Sequence, residues 1–217
     1  MATYESLIKI NGSVGDLVFY SLNGKNVVRK KSGFNKTAFK KSPSYEKVRQ
    51  NSSEFGHCSK TGKMIRSCIE IYTKEAGDPV LYQKFAKLMT VIKDLDTVSG
   101  RGKRTVQNGL LHPEGLKLLK EFRFGEKENI HPEAYVSAEK EYRILNFGNQ
   151  ISGDEVIIIT IQPDFDAYAA EYIEEKLQVE AGKEIRFKKH FSEATLLLYF
   201  LVIRNKEGIT QMGFVGM

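Results

Sequence analysis

Residues 155–161 read EVIIITI. Six of the seven are β-branched, and two heavy atoms on Cβ favour the pleated backbone over the helix. The stretch predicts a buried strand. Working outward, residues 185–191 and 194–204 are two more strand candidates. Asn205-Lys206-Glu207-Gly208 reads as a turn, with Ile209 to Val215 as the return strand. Between them, Pro163 to Leu177 carries Phe165, Tyr168, Tyr172 and Ile173. That spacing fits one face of an acidic helix or a pair of short strands in a sandwich. The end of the chain therefore predicts a β-rich, sandwich-like domain.

Upstream the period changes. Asp78-Pro79 precedes Leu81, Phe85, Leu88, Ile92 and Leu95, whose steps of four and three predict an amphipathic helix. Ser42-Pro43 opens an earlier one, with Tyr45, Val48, Ser52, Phe55, Ser59, Gly62, Ile65, Ile69 and Tyr72 at helical spacing. Gly56 and Gly62 each cost roughly 1 kcal/mol against Ala, so a break is expected near one of them. Gly100-Arg101-Gly102-Lys103-Arg104 interrupts the helical pattern, and His112-Pro113 starts a shorter helix through Leu116, Leu119 and Phe122. Residues 125–133 read as a linker.

The front of the chain is a hairpin. Leu17 to Tyr20 and Asn26 to Arg29 flank Asn23-Gly24, the pair best able to hold the positive φ of a two-residue turn. Val14-Gly15 reads as a bulge or a close backbone approach. Residues 31–41 (KSGFNKTAFKK) read as an extended basic arm that orders on a partner. The expected class is α+β: an N-terminal β-hairpin, central helices and a β-rich C-terminal domain, divided as 1–127 and 128–217.

Charge follows that division. Residues 1–66 hold 13 Lys/Arg against 4 Asp/Glu, net +9, whereas residues 128–217 hold 9 against 15, net −6. A basic front and an acidic back point to a polyanion-facing end or to docking between copies. No apolar run reaches membrane-spanning length, so no membrane partner is expected. The first residues carry no basic-then-apolar leader pattern, and Cys58 and Cys68 suit buried thiols better than a disulfide framework. A cytoplasmic location is expected, or a particle assembled there.

The pattern Gly12-x-Val14-Gly15-x-x-Val18-x-Tyr20, then Gly24 and Arg29, resembles the start of uncharacterised Bacteroidetes proteins of the DUF6266 type. The resemblance implies a glycine-rich basic hairpin, a helical segment and a β-rich end in a bacterial, mobile-element-linked protein. It carries no activity and no functional residues. Phe39 to Gln50 departs from the Thr/Gln-rich basic stretch that follows the hairpin in that pattern.

Reaction motifs are absent from the sequence. Gly100 to Arg104 lacks the spacing and hydroxyl of a nucleotide loop, and no G-x-S-x-G elbow occurs. His57-Cys58 with Cys68 lacks the paired spacing of a zinc site, and His112 and His131 each precede Pro as element boundaries. Cys58 as a nucleophile would need basic neighbours, and burial is the commoner state. Asp164, Asp166, Glu171, Glu174 and Glu175 suit a carboxylate cluster or a solvated acidic face. No catalytic residue, cofactor or metal is expected. The candidate contact residues are Arg29, Lys30, Lys31, Lys36, Lys40 and Lys41, with Phe34 and Phe39 interleaved, and Arg101, Lys103 and Arg104 on a second loop. These read first as docking cations of a non-enzymatic structural or assembly protein, in a multi-copy or multi-protein bacterial or phage-like particle. Their partner is then an acidic protein surface, including residues 128–217 of another copy. The alternative is a nucleic-acid-binding protein in which the same cations neutralise phosphates and the aromatics stack on bases.

Overall fold

The computed structural model describes the chain outside residues 1, 7–8, 32, 34–35, 148–152, 180–183 and 193–195. It is α+β, and its residues fall into two compact units, Met1–Arg49 and Gln50–Met217.

The first unit opens with strands β1 (Ala2–Thr3), β2 (Gly12–Val14), β3 (Leu17–Leu22) and β4 (Lys25–Lys30), antiparallel in the order β1-β4-β3-β2. The β3–β4 turn is the expected Asn23-Gly24 pair, both at positive φ (51° and 77°). Val14-Gly15 is neither bulge nor close approach. Val14 pairs directly with Leu17, so Gly15-Asp16 is a second two-residue turn, with Gly15 at φ 56°. The expected extended arm is also corrected, because Lys36–Lys41 forms a helix, α1. A helix end leaves carbonyls without intrahelical donors, and Arg49 reaches one in the last turn and one just past it. The Arg49 Nη1 donates to the carbonyls of Phe39 (2.5 Å) and Ser42 (3.0 Å). A single 3₁₀ turn, Pro43–Tyr45, leads into α2 (Glu46–Cys68), which begins in this unit and continues in the next.

No break occurs at Gly56 or Gly62. At Gly62 a Cβ would sit 3.2 Å from the Met89 side chain and 3.4 Å from that of Phe85. The missing side chain brings a neighbouring helix closer rather than ending this one. After α2 come α3 (Glu70–Ala76), α4 (Leu81–Asp94), α5 (Val106–Leu111) and α6 (Pro113–Glu121). Helix α5 has no counterpart among the expected elements. It is six residues long, too short for a period, and is started by Thr105, whose hydroxyl accepts from Asn108 N. Its Gly109 packs so tightly that a Cβ there would lie 2.0 Å from the Ile92 carbonyl oxygen.

Among the described residues seven strands follow. β5 (Tyr135–Ala138), β6 (Tyr142–Asn146) and β9 (Ile185–Lys188) make one antiparallel sheet in the order β5-β6-β9. β7 (Glu155–Asp164), β8 (Ala169–Gln178), β10 (Leu198–Asn205) and β11 (Gly208–Val215) make another, in the order β11-β10-β7-β8. The segment Pro163 to Leu177 thus resolves as the end of β7, a turn at 165–168 and β8, with Glu155–Asp164 paired to Ala169–Gln178 throughout. In the segment expected to be a linker, Glu128 bridges to Gln211 of β11.

The four-stranded sheet is the middle layer of the second unit. Ile157, Ile159, Phe200 and Val202 pack against helical residues such as Ile65, Phe85 and Met89. Val156, Ile158, Tyr199 and Leu201 pack on the opposite face against Val136, Leu145, Ile185 and Phe187 of the smaller sheet. The composition change near residue 128 is therefore not a break in packing, since residues from both sides of it share one core.

On α4 the buried stripe is Leu81, Phe85, Met89 and Ile92, with Leu88 half-buried beside it. Met89→Ala is expected to lower the unfolding free energy by about 2–5 kcal/mol, the usual range for a buried large-to-small change. Leu88→Ala is expected to lower it by less, and urea denaturation of both variants checks the order.

Candidate functional site

The nine candidate cations are divided between the two units. Six lie in the first unit. Successive side chains of a strand point to opposite faces, so Arg29 and Lys30 cannot meet the same partner surface. Arg29 is half-buried opposite Val18, and Lys30 is exposed opposite Leu17. Leu17 is in turn opposite Val14. Val14, Leu17 and Lys30 therefore form a row across three strands on one face, and all three are exposed, Val14 by 63% and Leu17 by 43%. Lys31 lies just past the strand and its N–H donates to the Asp16 carbonyl at 2.6 Å. Lys36, Lys40 and Lys41 are exposed on α1, where the i,i+4 spacing puts Lys36 and Lys40 on one side. The Phe39 ring meets Tyr45 edge-on at 5.7 Å. Phe34 is outside the described residues.

The second group, Arg101, Lys103 and Arg104, lies in the second unit and is divided. Arg104 does not face a partner. It grips Glu54 from α2, with Nε 2.9 Å from Oε1 and Nη2 2.7 Å from Oε2, and its Nη1 lies 2.8 Å from Asp94. The Gly102 N–H also donates to Glu54 at 2.6 Å. Arg101 donates to Asn51, and Arg101 and Lys103 are exposed. The loop is thus pinned to α2 by the groups expected to reach outward.

Glu54 and Lys93 are 3% and 4% exposed and bond each other at 2.8 Å. Hydrogen bonds from Arg104 are the largest influence on Glu54 and, with those from Lys93 and Gly102, hold its carboxyl far below the usual carboxylate range against the effect of burial. Burial alone would lower Lys93, and its bonds to Asp94 and Glu54 outweigh that and raise it. Beside them, Asp96 ties the 96–108 loop together. Its Oδ1 accepts from Val98 N and Ser99 N, and its Oδ2 from Thr105 N and Asn108 Nδ2. Burial would raise the Asp96 carboxyl, and these donors hold it low.

His57 closes the same region. Its Nε2 accepts from Val106 N at 2.9 Å, which places the ring proton on Nδ1, 3.0 Å from the Tyr168 hydroxyl. Tyr168 has φ 53°, an uncommon value for a residue with a Cβ, in the β7–β8 turn. His57 is therefore a brace between α2, the start of α5 and a strained turn. With both ring nitrogens engaged, it has no free lone pair for a substrate.

The acidic segment is dispersed as well. Asp164 accepts from the N–H groups of Asp166 and Ala167 within its own turn. Glu174 and Glu175 alternate across β8, Glu174 toward Lys176 and Glu175 toward His190. Among the described residues no group of three or more His, Cys, Asp or Glu is placed to hold a metal ion, and no helix is long and apolar enough to cross a membrane. Cys58 and Cys68 are free and buried, as expected. Burial pushes the Cys58 thiol up and the Cys68 thiol up to about 11, away from the thiolate.

The sequence gives no signal for Glu54, Lys93 or Asp96, because a buried charge looks the same in a string as a solvated one. Comparison with family models, with curated proteins and with solved structures found no match.

Glu54→Gln leaves Lys93 buried with a weaker partner, and is expected to destabilise the protein by about 3–5 kcal/mol at pH 7. The native carboxyl lies below its ordinary value of 4.5, so as pH falls the unfolded chain takes up this proton first. The stabilisation is complete above that value and is lost below it. The gap between wild type and variant should narrow as pH falls below about 4.5, measured by denaturation across pH.

Proposed function

We propose that the chain is a non-enzymatic structural or assembly protein of a bacterial or phage-like particle, and that it docks through its N-terminal unit onto an acidic protein surface. The observation that carries this reading is the exposed Val14, Leu17 and Lys30 row. Two apolar side chains beside a cation suit a partner that presents apolar surface ringed by carboxylates. The surroundings favour it. Residues 1–49 hold ten Lys and Arg against three Asp and Glu, and Val27 is their only buried residue among those described. Residues 128–217 of a second copy, at net −6, are the nearest source of an opposite charge.

Nucleic acid would use the same cations. Its reading is weakened by Phe39, whose ring is engaged with Tyr45, and by Arg104, which is bound inside the second unit. The deciding variant pairs Leu17→Ser with Lys30→Glu and is compared with Lys36→Glu/Lys40→Glu. Self-association is followed by sedimentation at low and high salt, and binding to generic single- and double-stranded nucleic acid by anisotropy. The L17S/K30E pair is expected to weaken association at least about tenfold, the scale of losing one charge-assisted contact. Nucleic-acid binding should stay unchanged. Loss of nucleic-acid binding with intact association would transfer the function to the alternative. No change in either would leave the row a solvated surface.

A further inference from the structure

A cleft of about 510 Å³ opens in the second unit beside α2, α3 and the start of α4. Its size is that of a small-ligand pocket. It is distinct from the N-terminal row and independent of the docking proposal.

Three of its charged side chains, Glu70, Lys74 and Asp78, are paired with one another or with a neighbour. Glu70 pairs with Lys74 at 2.8 Å. Asp78 pairs with Lys84 at 2.7 Å and accepts from Val80 N. Two cations remain, Lys63 and Arg66. Lys63 is exposed. Arg66 lies over the Phe85 ring, 5.6 Å from its centroid, and its Nη1 is buried with no hydrogen-bond partner among the described residues. Ring contact engages the face of the guanidinium and leaves the in-plane Nη1 unmet. A buried donor without an acceptor is costly, and a charged one more so. The hydroxyls nearby do not relieve it. Ser67 donates to the Met64 carbonyl and Thr73 to that of Glu70, and neither hydroxyl oxygen is a hydrogen-bond partner of the Arg66 Nη1.

Arg66 also lines the cleft, and an anion there can lie in the guanidinium plane. A carboxylate matches that fork in shape and charge, with two parallel N–H···O bonds available. The rest of the lining is apolar. Pro79 and Leu81 line it, and Tyr82 presents a ring that is 61% exposed. We infer that this cleft binds a small carboxylate with a flat apolar body, its carboxylate on Arg66 and Lys63 and its body against Leu81 and Tyr82.

The test is an NMR titration of the full chain with benzoate, following the backbone amides of residues 63–82. Saturable shifts confined to that segment are expected. Arg66→Gln should weaken binding at least about tenfold, the effect of removing a charge-assisted hydrogen bond. Arg66→Lys, which keeps the charge and loses the fork, should fall between, and Lys63→Gln should have a smaller effect. Amide dispersion and melting temperature confirm that each variant is folded, and should R66Q not fold, R66K and K63Q carry the comparison. Benzamide, which has the same body and no charge, should bind at least about tenfold more weakly on the same scale. Absence of saturable shifts would overturn the inference, as would equal binding by R66K and wild type or by benzamide and benzoate. Displacement of benzoate by equimolar inorganic phosphate would also overturn it, because the cleft would then select charge without the carboxylate or the body.

Discussion

β7 and β10 pair from Glu155 with Arg204 to Ile161 with Leu198, and every side chain between Val156 and Ile161 is buried. Successive residues point to opposite faces of a sheet, so this pair needs cover on both. Each Ile or Val so placed is worth about 1.5–3 kcal/mol relative to exposure, and most of that is forfeited if either cover is removed. The rest of the second unit follows from that requirement. One face takes the helices, with Phe85, Phe124, Phe200 and Phe214 meeting ring to ring at 5.0–6.4 Å. The other takes β5, β6 and β9. A single β-rich domain after residue 128, folded apart from the helices, would leave Ile157, Ile159, Phe200 and Val202 facing water.

That requirement also explains which elements are legible in the sequence. EVIIITI and the residues around Leu201 announce themselves because a central strand is apolar without alternation. Asn23-Gly24 and the Leu81 to Ile92 stripe are legible because backbone chirality and helical period act locally. Helices α1 and α5 are six residues each, and no period can be read over fewer than two turns. The former exists because Arg49 reaches back to a carbonyl of its last turn, and the latter because Thr105 caps it and Gly109 lets it sit on Ile92. Gly62 misleads for the same reason, since its propensity is poor in isolation and its use appears only once Met89 lies 3.2 Å away. Composition placed a boundary at 128 because charge changes there, but charge describes the surface whereas packing defines a compact unit.

The candidate site shows the same limit in another form. Arg104 and Lys30 are equivalent cations in a string. One is bound by two carboxylates of Glu54 and Asp94, and the other stands in solvent opposite Leu17. The sequence marks where cations cluster and says nothing of which carboxylates reach them from fifty residues away. It also presents Arg29, Lys30 and Lys31 as a single handle, although strand alternation assigns Arg29 and Lys30 to opposite faces. The alternation is readable from the sequence once the hairpin is accepted, so the division of that handle was available in principle. The bond from Arg104 to Glu54 was not.

Satisfaction of polar groups then separates what holds the protein together from what is open to a partner. In the second unit Glu54, Lys93, Asp96 and His57 are all hydrogen-bonded within the chain. Such groups fix a loop and a turn, and a ligand would have to displace strong internal bonds to use them. The Val14, Leu17 and Lys30 row and the Arg66 Nη1 are among the features that do not meet that description. The Val14, Leu17 and Lys30 row leaves apolar surface uncovered beside a charge, and Arg66 leaves a buried N–H without an acceptor. The first deficit is of burial and is relieved by a broad surface that excludes water. The second is of one acceptor in one plane and is relieved by a small anion. A macromolecule and a small molecule thus answer different shortages, which is why the two features are assigned to different partners.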